Sequence, residues 1–461
     1  MNQETLNPLE TVPTRIQTLG DPKIASPMRN DRLGNAVPQF VSDDERVMIN
    51  IKLTEVEAMI THGLTPPAFE LAGPRKRIYF DASKLRCAIV TCGGLCPGLN
   101  DIIRAIVLEL HYRYDVKNIH GIRYGLEGFI PDYNHDFLDL TPEMVTSIMN
   151  MGGSILGSSR GAQDIGRVVD CLEVNRIGIL FMVGGDGTLM AASKIADTIT
   201  ERGLKISVVG IPKTIDNDIH LISRSFGFDT AVDVSRMAIQ GAHNEAVAYP
   251  NGVGLIKLMG RHSGFIAATA SLAQQDANFV LIPEVDFDLE GPCGLLAALQ
   301  ARVTNRGHGV IVVAEGAGQK FFSGSTQHKD PSGNIRLNDI GVFLKETIKS
   351  HFNDHQIPVN IKYIDPSYMI RSLPANANDS VFCGFLGRDA VHAGMAGKTK
   401  LVIGHWNNHF VHLPMEATIG RRKQVRPKGK LWTTVLESTG QPTLKNEAAC
   451  LTESPRRPDR R

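Results

Sequence analysis

An apolar run leads directly into two carboxylates at residues 206–218, which read Ile-Ser-Val-Val-Gly-Ile-Pro-Lys-Thr-Ile-Asp-Asn-Asp. The apolar part, 206–211, is typical of a buried parallel strand, and the proline after it ends the strand. The carboxylates are Asp216 and Asp218, and a lysine and a threonine precede them. A carboxylate can accept a hydroxyl proton and a lysine can neutralise phosphate, so this strand end is typical of phosphoryl transfer. Asp and Asn also favour turns, which is the alternative for this motif alone.

A second apolar run, 177–183, ends in residues 184–188, which read Gly-Gly-Asp-Gly-Thr, and a helical pattern follows over 189–199. Glycines let a phosphate approach the backbone, and a helix N-terminus favours an anion. Asp186 is a candidate Mg²⁺ ligand because this cation prefers oxygen donors. A tight turn between strand and helix is the alternative for this motif.

A third strand end follows the run 87–91, where residues 93–98 read Gly-Gly-Leu-Cys-Pro-Gly and precede a helical pattern over 101–112. Three strand ends that suit phosphate are difficult to ascribe to turns alone.

The rest of the chain alternates between strand and helix patterns. Further strands are predicted at 118–123, 252–258, 279–282 and 309–314. Further helices are predicted at 141–149, 162–175, 231–247, 265–273, 291–304 and 339–353. This alternation predicts an α/β protein with two doubly wound, Rossmann-like domains, and a cleft between them suits a kinase that excludes water.

The composition describes a soluble globular chain of several domains, with 461 residues, 42% hydrophobic residues and a formal net charge of +1. Near-neutral charge offers no attraction for nucleic acid or membranes, and the basic cluster 421–423 is interpreted as solvated surface. Seven scattered cysteines favour reduced thiols over a disulfide framework. Cys92 and Cys96 alone are a weak zinc signal. The polar N-terminus and the lack of an 18-residue apolar stretch predict a cytoplasmic location.

The ordered motifs resemble the phosphofructokinase family, whose members transfer phosphate to the 1-hydroxyl of fructose 6-phosphate. The resemblance covers about Cys87 to Gly404, in the family's order. The blocks that carry it are 93–100, 152–161, 184–188, 212–218, 259–264, 314–316 and 363–371. Within the family, the chain resembles the long, plant-type ATP-dependent group.

The resemblance implies a role for each motif residue. Asp216 would be the general base and Asp218 its supporting carboxylate, while Lys213, Thr214 and Arg261 would stabilise the transferring phosphoryl group. For the donor and its Mg²⁺, the implied residues are Gly94, Arg160, Gly185, Asp186, Gly187 and Thr188, with Asp186 on the metal. For the sugar phosphate, they are Thr214, Asp216, Met259, Gly260, Arg261, Glu315, Lys362, Tyr368 and Arg371.

The chain departs from the short bacterial members of the family at the sugar phosphate. Tyr368 and Lys362 stand where those enzymes have a histidine and an arginine, and both can still donate to phosphate. Gly252 stands at their third, intersubunit arginine, so that contact must be replaced.

Donor choice depends on two positions. Pyrophosphate-dependent relatives generally have Asp at the position of Gly187 and Lys at that of Lys213. This chain combines Gly187 with Lys213, a mixture that favours ATP, and pyrophosphate is the alternative. Other kinases that share Gly-Gly-Asp-Gly-Thr, and a catalytically silent regulatory subunit, are further alternatives.

The expected organisation is an N-terminal extension at 1–82, a donor domain at 83–228 re-entered by 370–433, a sugar-phosphate domain at 229–369 and a polar tail at 434–461. The extension is expected to pack across the catalytic body or a subunit contact, and a partly disordered arm is the alternative for its first 40 residues. The loop 319–338 is expected to be mobile, and the tail is expected to be loosely ordered. The resemblance also implies a homo-oligomer, either a dimer or a tetramer.

Overall fold

The computed structural model describes residues 12–28, 39–322 and 336–446. They form two compact units. The first contains residues 12–229 and Arg371–Arg422, and the second contains 230–322, 336–370 and 423–446. The segment 423–433, which the sequence assigned to the donor domain, therefore groups with the second unit.

The strands follow in chain order. They are β1 Gln17–Thr18, β2 Ile24–Ala25, β3 Arg46–Met48, β4 Ala68–Leu71, β5 Arg77–Ile78, β6 Arg86–Thr91, β7 Asn118–Ile122, β8 Leu138–Asp139, β9 Ile179–Gly184, β10 Ser207–Pro212, β11 Gly252–Leu258, β12 Phe279–Leu281, β13 His308–Ala314, β14 Asn360–Ile364, β15 Lys398–Thr399, β16 Leu401–Trp406 and β17 His409–Pro414.

The helices are α1 Leu53–Thr61, α2 Leu99–Tyr114, α3 Ile165–Val174, α4 Asp186–Glu201, α5 Phe228–Val247, α6 Phe265–Gln274, α7 Leu295–Arg306, α8 Ile340–Asp354, α9 Ala377–Met395, α10 Met415–Thr418 and α11 Lys430–Thr439. The predicted α/β alternation is confirmed, and most predicted elements lie within a few residues of these bounds.

The helix predicted at 141–149 is wrong. Only a short 3₁₀ turn forms, at Ile148–Asn150. The hydroxyl of Thr146 donates to the carbonyl oxygen of Pro142 at 2.9 Å, and in an α-helix that carbonyl would accept from the Thr146 N–H instead. Such local bonding competes with a regular helix, and the two glycines at 152 and 153 stop any extension.

The first unit is built on a nine-stranded sheet with the order β3-β4-β17-β16-β10-β9-β6-β7-β8. Strands β16, β10, β9, β6 and β7 are parallel, and the outer strands are antiparallel. All residues of β9 and β10 are buried, as expected for strands covered on both faces. The chain runs from β6 outward to β7 and then returns to β9 on the other side of β6. This reversal is a topological switch point, where α/β sheets bind ligands.

The second unit has a four-stranded parallel sheet with the order β12-β13-β11-β14. Its core is apolar and includes Leu255, Ile311 and Phe352, all completely buried. Of these four strands, β11 comes first in the chain and lies between β13 and β14 in the sheet. The carboxyl end of β11 therefore lies in the middle of the sheet.

The N-terminal segment packs onto the first unit. Strands β3 and β4 extend the large sheet beside β17, and β1 pairs with β15. Glu70 on β4 accepts from Arg75 at 2.8 Å and from Lys398 at 2.6 Å, and all three side chains are at least nine-tenths buried. The partly disordered arm expected at the first 40 residues falls in part outside the described residues, which do not include 1–11 and 29–38.

The polar tail expected from residue 434 begins inside a helix. Trp432 and Val435 of α11 are buried, and Gln441 accepts from the backbone N–H of Val280 at 2.7 Å. The expectation of loose order is therefore wrong for 434–446, and 447–461 lie outside the described residues. Most of the loop 319–338, expected to be mobile, also lies outside them, namely 323–335.

Five of the described cysteines are free thiols, and four of these are buried. Cys293 is disulfide-bonded, so the expectation of reduced thiols does not hold for it. Among the described helices, none has the length and apolarity needed to cross a lipid bilayer.

Candidate functional site

Two glycine-containing turns meet at the switch point of the first unit. One follows β6 and contains Gly93 and Gly94, and the other follows β9 and leads into α4. The 206–218 stretch ends β10, the next strand of the sheet. All three predicted strand ends thus lie at the carboxyl edge of three adjacent parallel strands.

Lys213 connects two of these strand ends. Its ammonium group donates to the carbonyl oxygen of Gly94 at 2.5 Å, and its backbone N–H donates to Gly184 at 2.9 Å. Burial lowers the pKa of Lys213, and the nearby charges of Arg160 and Arg371 lower it further, against the opposing effect of two cysteines. A buried cation that remains close to the glycine loop suits a phosphate anion.

The turn after Lys213 presents both carboxylates. Thr214 donates from Oγ1 to Asp218 Oδ1 at 3.1 Å and accepts from the backbone N–H of Asp216 at 3.1 Å. Asn217 between them has a φ of 53°, a left-handed conformation that Asn tolerates. The turn leaves Asp216 half-buried and Asp218 buried. Asp218 and Thr214 therefore fix the turn, and Asp216 is the carboxylate of the pair that is more accessible.

Two arginines lie against Gly94. A methyl group placed on Gly94 would be 3.3 Å from a guanidinium nitrogen of Arg160 and 3.3 Å from one of Arg371. Arg371 was predicted for the sugar phosphate, and the structure places it beside the loop predicted for the donor. A side chain at residue 94 would therefore press on these two cations.

The loop after β9 leads into α4 at Asp186. Gly185 is the N-cap, and Thr188 is buried in the first turn. Gly187 is exposed, and a Cβ placed on it would meet nothing within 4 Å. The N-terminal turn of α4 thus presents backbone N–H groups to the same edge, and residue 187 has room for a larger side chain.

Arg422 joins the site from a distant part of the chain. Its Nη1 donates to Asp218 Oδ2 at 2.6 Å, and its Nη2 lies 3.7 Å from Asp186 Oδ2. Sequence reasoning missed this residue because the basic cluster 421–423 was interpreted as solvated surface. Arg422 reaches the site through a backbone bridge with Ile219, and no sequence pattern predicts such a pairing.

The carboxylates fit a hard divalent cation. Asp186 Oδ1 is buried and has no hydrogen-bond partner in the described chain. Within the same residues, no group of three or more His, Cys, Asp or Glu side chains forms a metal cage. Mg²⁺ usually takes one or two carboxylates and fills its other positions with water and substrate phosphates, so Asp186 with Asp218 nearby is a suitable donor set.

The second unit collects part of the predicted sugar-phosphate set. The segment 259–261 follows β11, and Glu315 follows the adjacent β13. The two ends are joined by hydrogen bonds from the N–H of Glu315 to Leu258 at 2.9 Å and from the N–H of Gly316 to Gly260 at 3.2 Å. Gly260 has a φ of 133°, which other residues rarely adopt. The backbone thus holds Met259, Arg261 and Glu315 close together.

Lys362 and Tyr368 lie elsewhere in the second unit. Lys362 on β14 approaches Glu245 at 3.4 Å and lies 4.5 Å from the ring centre of Tyr249. Tyr368 is exposed. At Gly252, a Cβ would lie 1.9 Å from the carbonyl oxygen of Ala246, so no side chain fits at the position of the bacterial arginine.

The described geometry is that of an α/β phosphotransferase, with glycine turns, cations and paired carboxylates at the edge of a parallel sheet. The sequence model of phosphofructokinase matches residues 86–394. The chain belongs to the phosphofructokinase family.

Three individual comparisons define the similarity further. The chain is 46% identical over 444 residues to an ATP-dependent 6-phosphofructokinase of Borreliella burgdorferi, covering 95% of this chain and 99% of that one. It is 42% identical to ATP-dependent 6-phosphofructokinase 4, chloroplastic, of Arabidopsis thaliana, covering 95% and 82%. A pyrophosphate-dependent phosphofructokinase from Marinobacter aquaeolei has the same fold, with a TM-score of 0.63 at 19% identity over 79% of this chain and 92% of that one.

Proposed function

We propose that the protein is an ATP-dependent 6-phosphofructokinase, which forms fructose 1,6-bisphosphate and ADP from fructose 6-phosphate and ATP. The observation that carries this proposal is near-full-length similarity to enzymes of that name, combined with a carboxylate pair at the switch point. The first unit would bind the donor and the second would supply sugar-phosphate ligands.

Asp216 is the proposed general base. It would take the proton of the sugar's 1-hydroxyl as the oxygen attacks the γ-phosphorus, and the bond to the ADP oxygen would break. The hydrogen bond from the Asp216 N–H to Thr214 supports this role because it fixes the carboxylate on a short turn. Asp218 would hold Thr214, and Lys213 would bind the transferring phosphoryl group. The family resemblance assigns the stabilisation of that group to Thr214 and Arg261 as well.

Two arginines are the proposed phosphate ligands, one for the donor and one for the sugar phosphate. Arg160 would bind the donor, and Arg371 would bind the 6-phosphate of the sugar. The position of Arg371 beside Gly94 also supports a contact with the transferring group. Met259, Gly260, Glu315, Lys362 and Tyr368 would complete the sugar-phosphate site.

The donor would bring a Mg²⁺ ion. Asp186 would hold this ion, and when bound it would neutralise charge on the donor's phosphates. Gly185, Gly187 and Thr188 would offer the backbone of the first turn of α4 to the same phosphates. The buried, unpartnered oxygen of Asp186 supports this assignment.

The remaining proposals concern assembly and location. A homo-oligomer, either a dimer or a tetramer, is proposed from the family resemblance alone. A cytoplasmic location is proposed as well, although one relative is named chloroplastic. A catalytically silent regulatory subunit is the competing proposal, and the presence of Asp186, Asp216 and Asp218 together favours the enzyme.

Product analysis tests the proposed reaction. Purified protein with Mg²⁺, ATP and fructose 6-phosphate should give a new phosphorus resonance that is coupled to the C1 protons of the sugar, in equal amount to ADP. Asp216→Ser prepared in parallel controls for contaminating kinases. A product phosphorylated at another hydroxyl, or ADP without sugar bisphosphate, would overturn the proposal.

A further inference from the structure

Arg422 occupies a fixed place at the carboxylates of the first unit. It is the last residue of that unit, and its backbone forms an antiparallel bridge with Ile219, the residue after Asp218. This pairing brings the side chain of Arg422 to Asp218, which lies 204 residues earlier in the sequence.

The guanidinium group of Arg422 faces both carboxylates. Its Nη1 donates to Asp218 Oδ2 at 2.6 Å, while its Nη2 lies 3.7 Å from Asp186 Oδ2. A planar guanidinium with several fixed donors suits this arrangement better than a lysine. The side chain of Asp218 is only 5% exposed, and burying a carboxylate is costly unless it is paired and hydrogen-bonded.

The same carboxylates are those that the proposed divalent cation would use, and the unpartnered oxygen of Asp186 is its Oδ1. Asp186 is the proposed Mg²⁺ ligand, and its Oδ2 is the atom nearest Arg422. A guanidinium group and a divalent cation repel each other at short range, so each weakens the binding of the other to the two carboxylates. The side chain of Arg422 is 35% exposed, which leaves it room to withdraw.

We propose that Arg422 is a positioning residue that acts as the built-in counter-ion of Asp186 and Asp218 in the donor-free enzyme and competes there with the divalent cation. It keeps the two carboxylates aligned while no donor is bound, and it withholds them from metal that arrives without a donor. This inference rests on the proposed function for its catalytic meaning, but the competition itself concerns only residues of the first unit.

Binding of Mn²⁺ to the donor-free full chain tests the inference. Free Mn²⁺ can be measured by electron paramagnetic resonance with no nucleotide or sugar present. Arg422→Gln should bind Mn²⁺ at least about fivefold more tightly than the wild type, because a positive charge next to the carboxylates is lost. Arg422→Lys keeps the charge and should remain near the wild-type affinity.

Two further variants keep the test decisive. Arg421→Gln removes the adjacent arginine, for which the described chain shows no ion pair with either carboxylate, and it should leave Mn²⁺ affinity unchanged. Arg422→Met offers a second neutral side chain of similar length if Arg422→Gln does not fold. Double variants with Asp186→Asn should lose the tightened Mn²⁺ binding.

The outcomes separate this inference from the proposed function. Unchanged or weaker Mn²⁺ binding in both folded neutral variants would overturn the role of Arg422, even if the wild type phosphorylates fructose 6-phosphate. Tighter binding in a protein without that activity would support the role and overturn the proposed function alone.

Discussion

The ammonium group of Lys213 donates to the carbonyl oxygen of Gly94 at 2.5 Å, and this bond connects the ends of two strands, β10 and β6. The contact places the ammonium group against the glycine loop that is proposed to bind the donor's phosphates. Strand β9 lies between β10 and β6 in the sheet, so the bond joins two strand ends that are not direct neighbours.

Asp216→Ser should remove most turnover and leave substrate binding nearly intact. The change removes the proposed proton acceptor, while Lys213, Arg160 and Arg371 stay in place. A general base typically contributes ~10²–10⁴-fold, so kcat should fall by that order. Rates by coupled assay and substrate affinities by calorimetry check the split. Turnover close to that of the wild type would show that another group takes the proton.

Arg371→Ala should raise the KM for fructose 6-phosphate far more than the KM for ATP. A charged hydrogen bond to phosphate contributes on the order of 1.5–3 kcal/mol, and its loss would act on the sugar. Arg371→Lys is the matched control, since it keeps the charge without the fork. A selective rise in the KM for ATP would instead assign Arg371 to the donor, as its place beside Gly94 allows.

Gly252→Ala should destabilise the protein by about 1–3 kcal/mol, the usual range for overpacking. The added Cβ would lie 1.9 Å from the carbonyl oxygen of Ala246, at the end of α5. Gly241→Ala is the control, because Gly241 lies in α5, the helix that contains Ala246, and a Cβ placed on it would meet nothing within 4 Å. Urea unfolding measures both. Equal stability of the two variants would contradict the close packing at Gly252.

His392 should make the first unit sensitive to acid. Burial, together with the nearby charges of Arg75 and Arg388, lowers the pKa of His392 to about 3. Its Nδ1 pairs with the hydroxyl of Tyr114 at 2.8 Å. Because the folded pKa lies below the unfolded value, the unfolded chain binds more protons between the two. The contribution to stability is therefore complete above about pH 6.5 and is lost as the pH falls.

The expected loss from His392 at about pH 5 is about 2 kcal/mol relative to neutral pH. His392→Gln should flatten this part of the pH dependence of unfolding. The exposed His409→Gln serves as the control. If both variants keep the wild-type slope between about pH 7 and pH 5, the acid sensitivity belongs to other groups.

The elements that the sequence predicted well share one physical property. β9 and β10 are continuous apolar runs that end in glycine or proline, so hydrophobic pattern and backbone chemistry indicate the same bounds. The helix prediction at 141–149 failed because the hydroxyl of Thr146, and not its backbone N–H, donates to the carbonyl oxygen of Pro142.

The part of the candidate site that the sequence did not predict depends on long-range contacts. Arg422 reaches Asp218 only through the bridge to Ile219, and its basic neighbours resemble ordinary surface residues. Likewise, the approach of Arg371 to Gly94 follows from tertiary packing. Residue types and spacing predict which groups are suitable, whereas the sheet order decides which of them meet.

Gly187 is the residue on which the choice of phosphoryl donor is proposed to depend. Gly187→Asp should lower the affinity for ATP, since the new carboxylate would stand beside the nucleotide's phosphates. The space around residue 187 means that the added side chain should not disturb the fold. Pyrophosphate extends less far and should suffer less. Gly241→Asp adds the same charge at another uncrowded glycine and should leave donor choice unchanged.

The most direct measurement is the ratio of kcat/KM for ATP to kcat/KM for pyrophosphate, with fructose 6-phosphate as the acceptor, in the wild type and in Gly187→Asp. We predict that the wild type prefers ATP and that the ratio falls in the variant. A wild-type enzyme that prefers pyrophosphate, or a ratio that is the same in both proteins, would contradict the account.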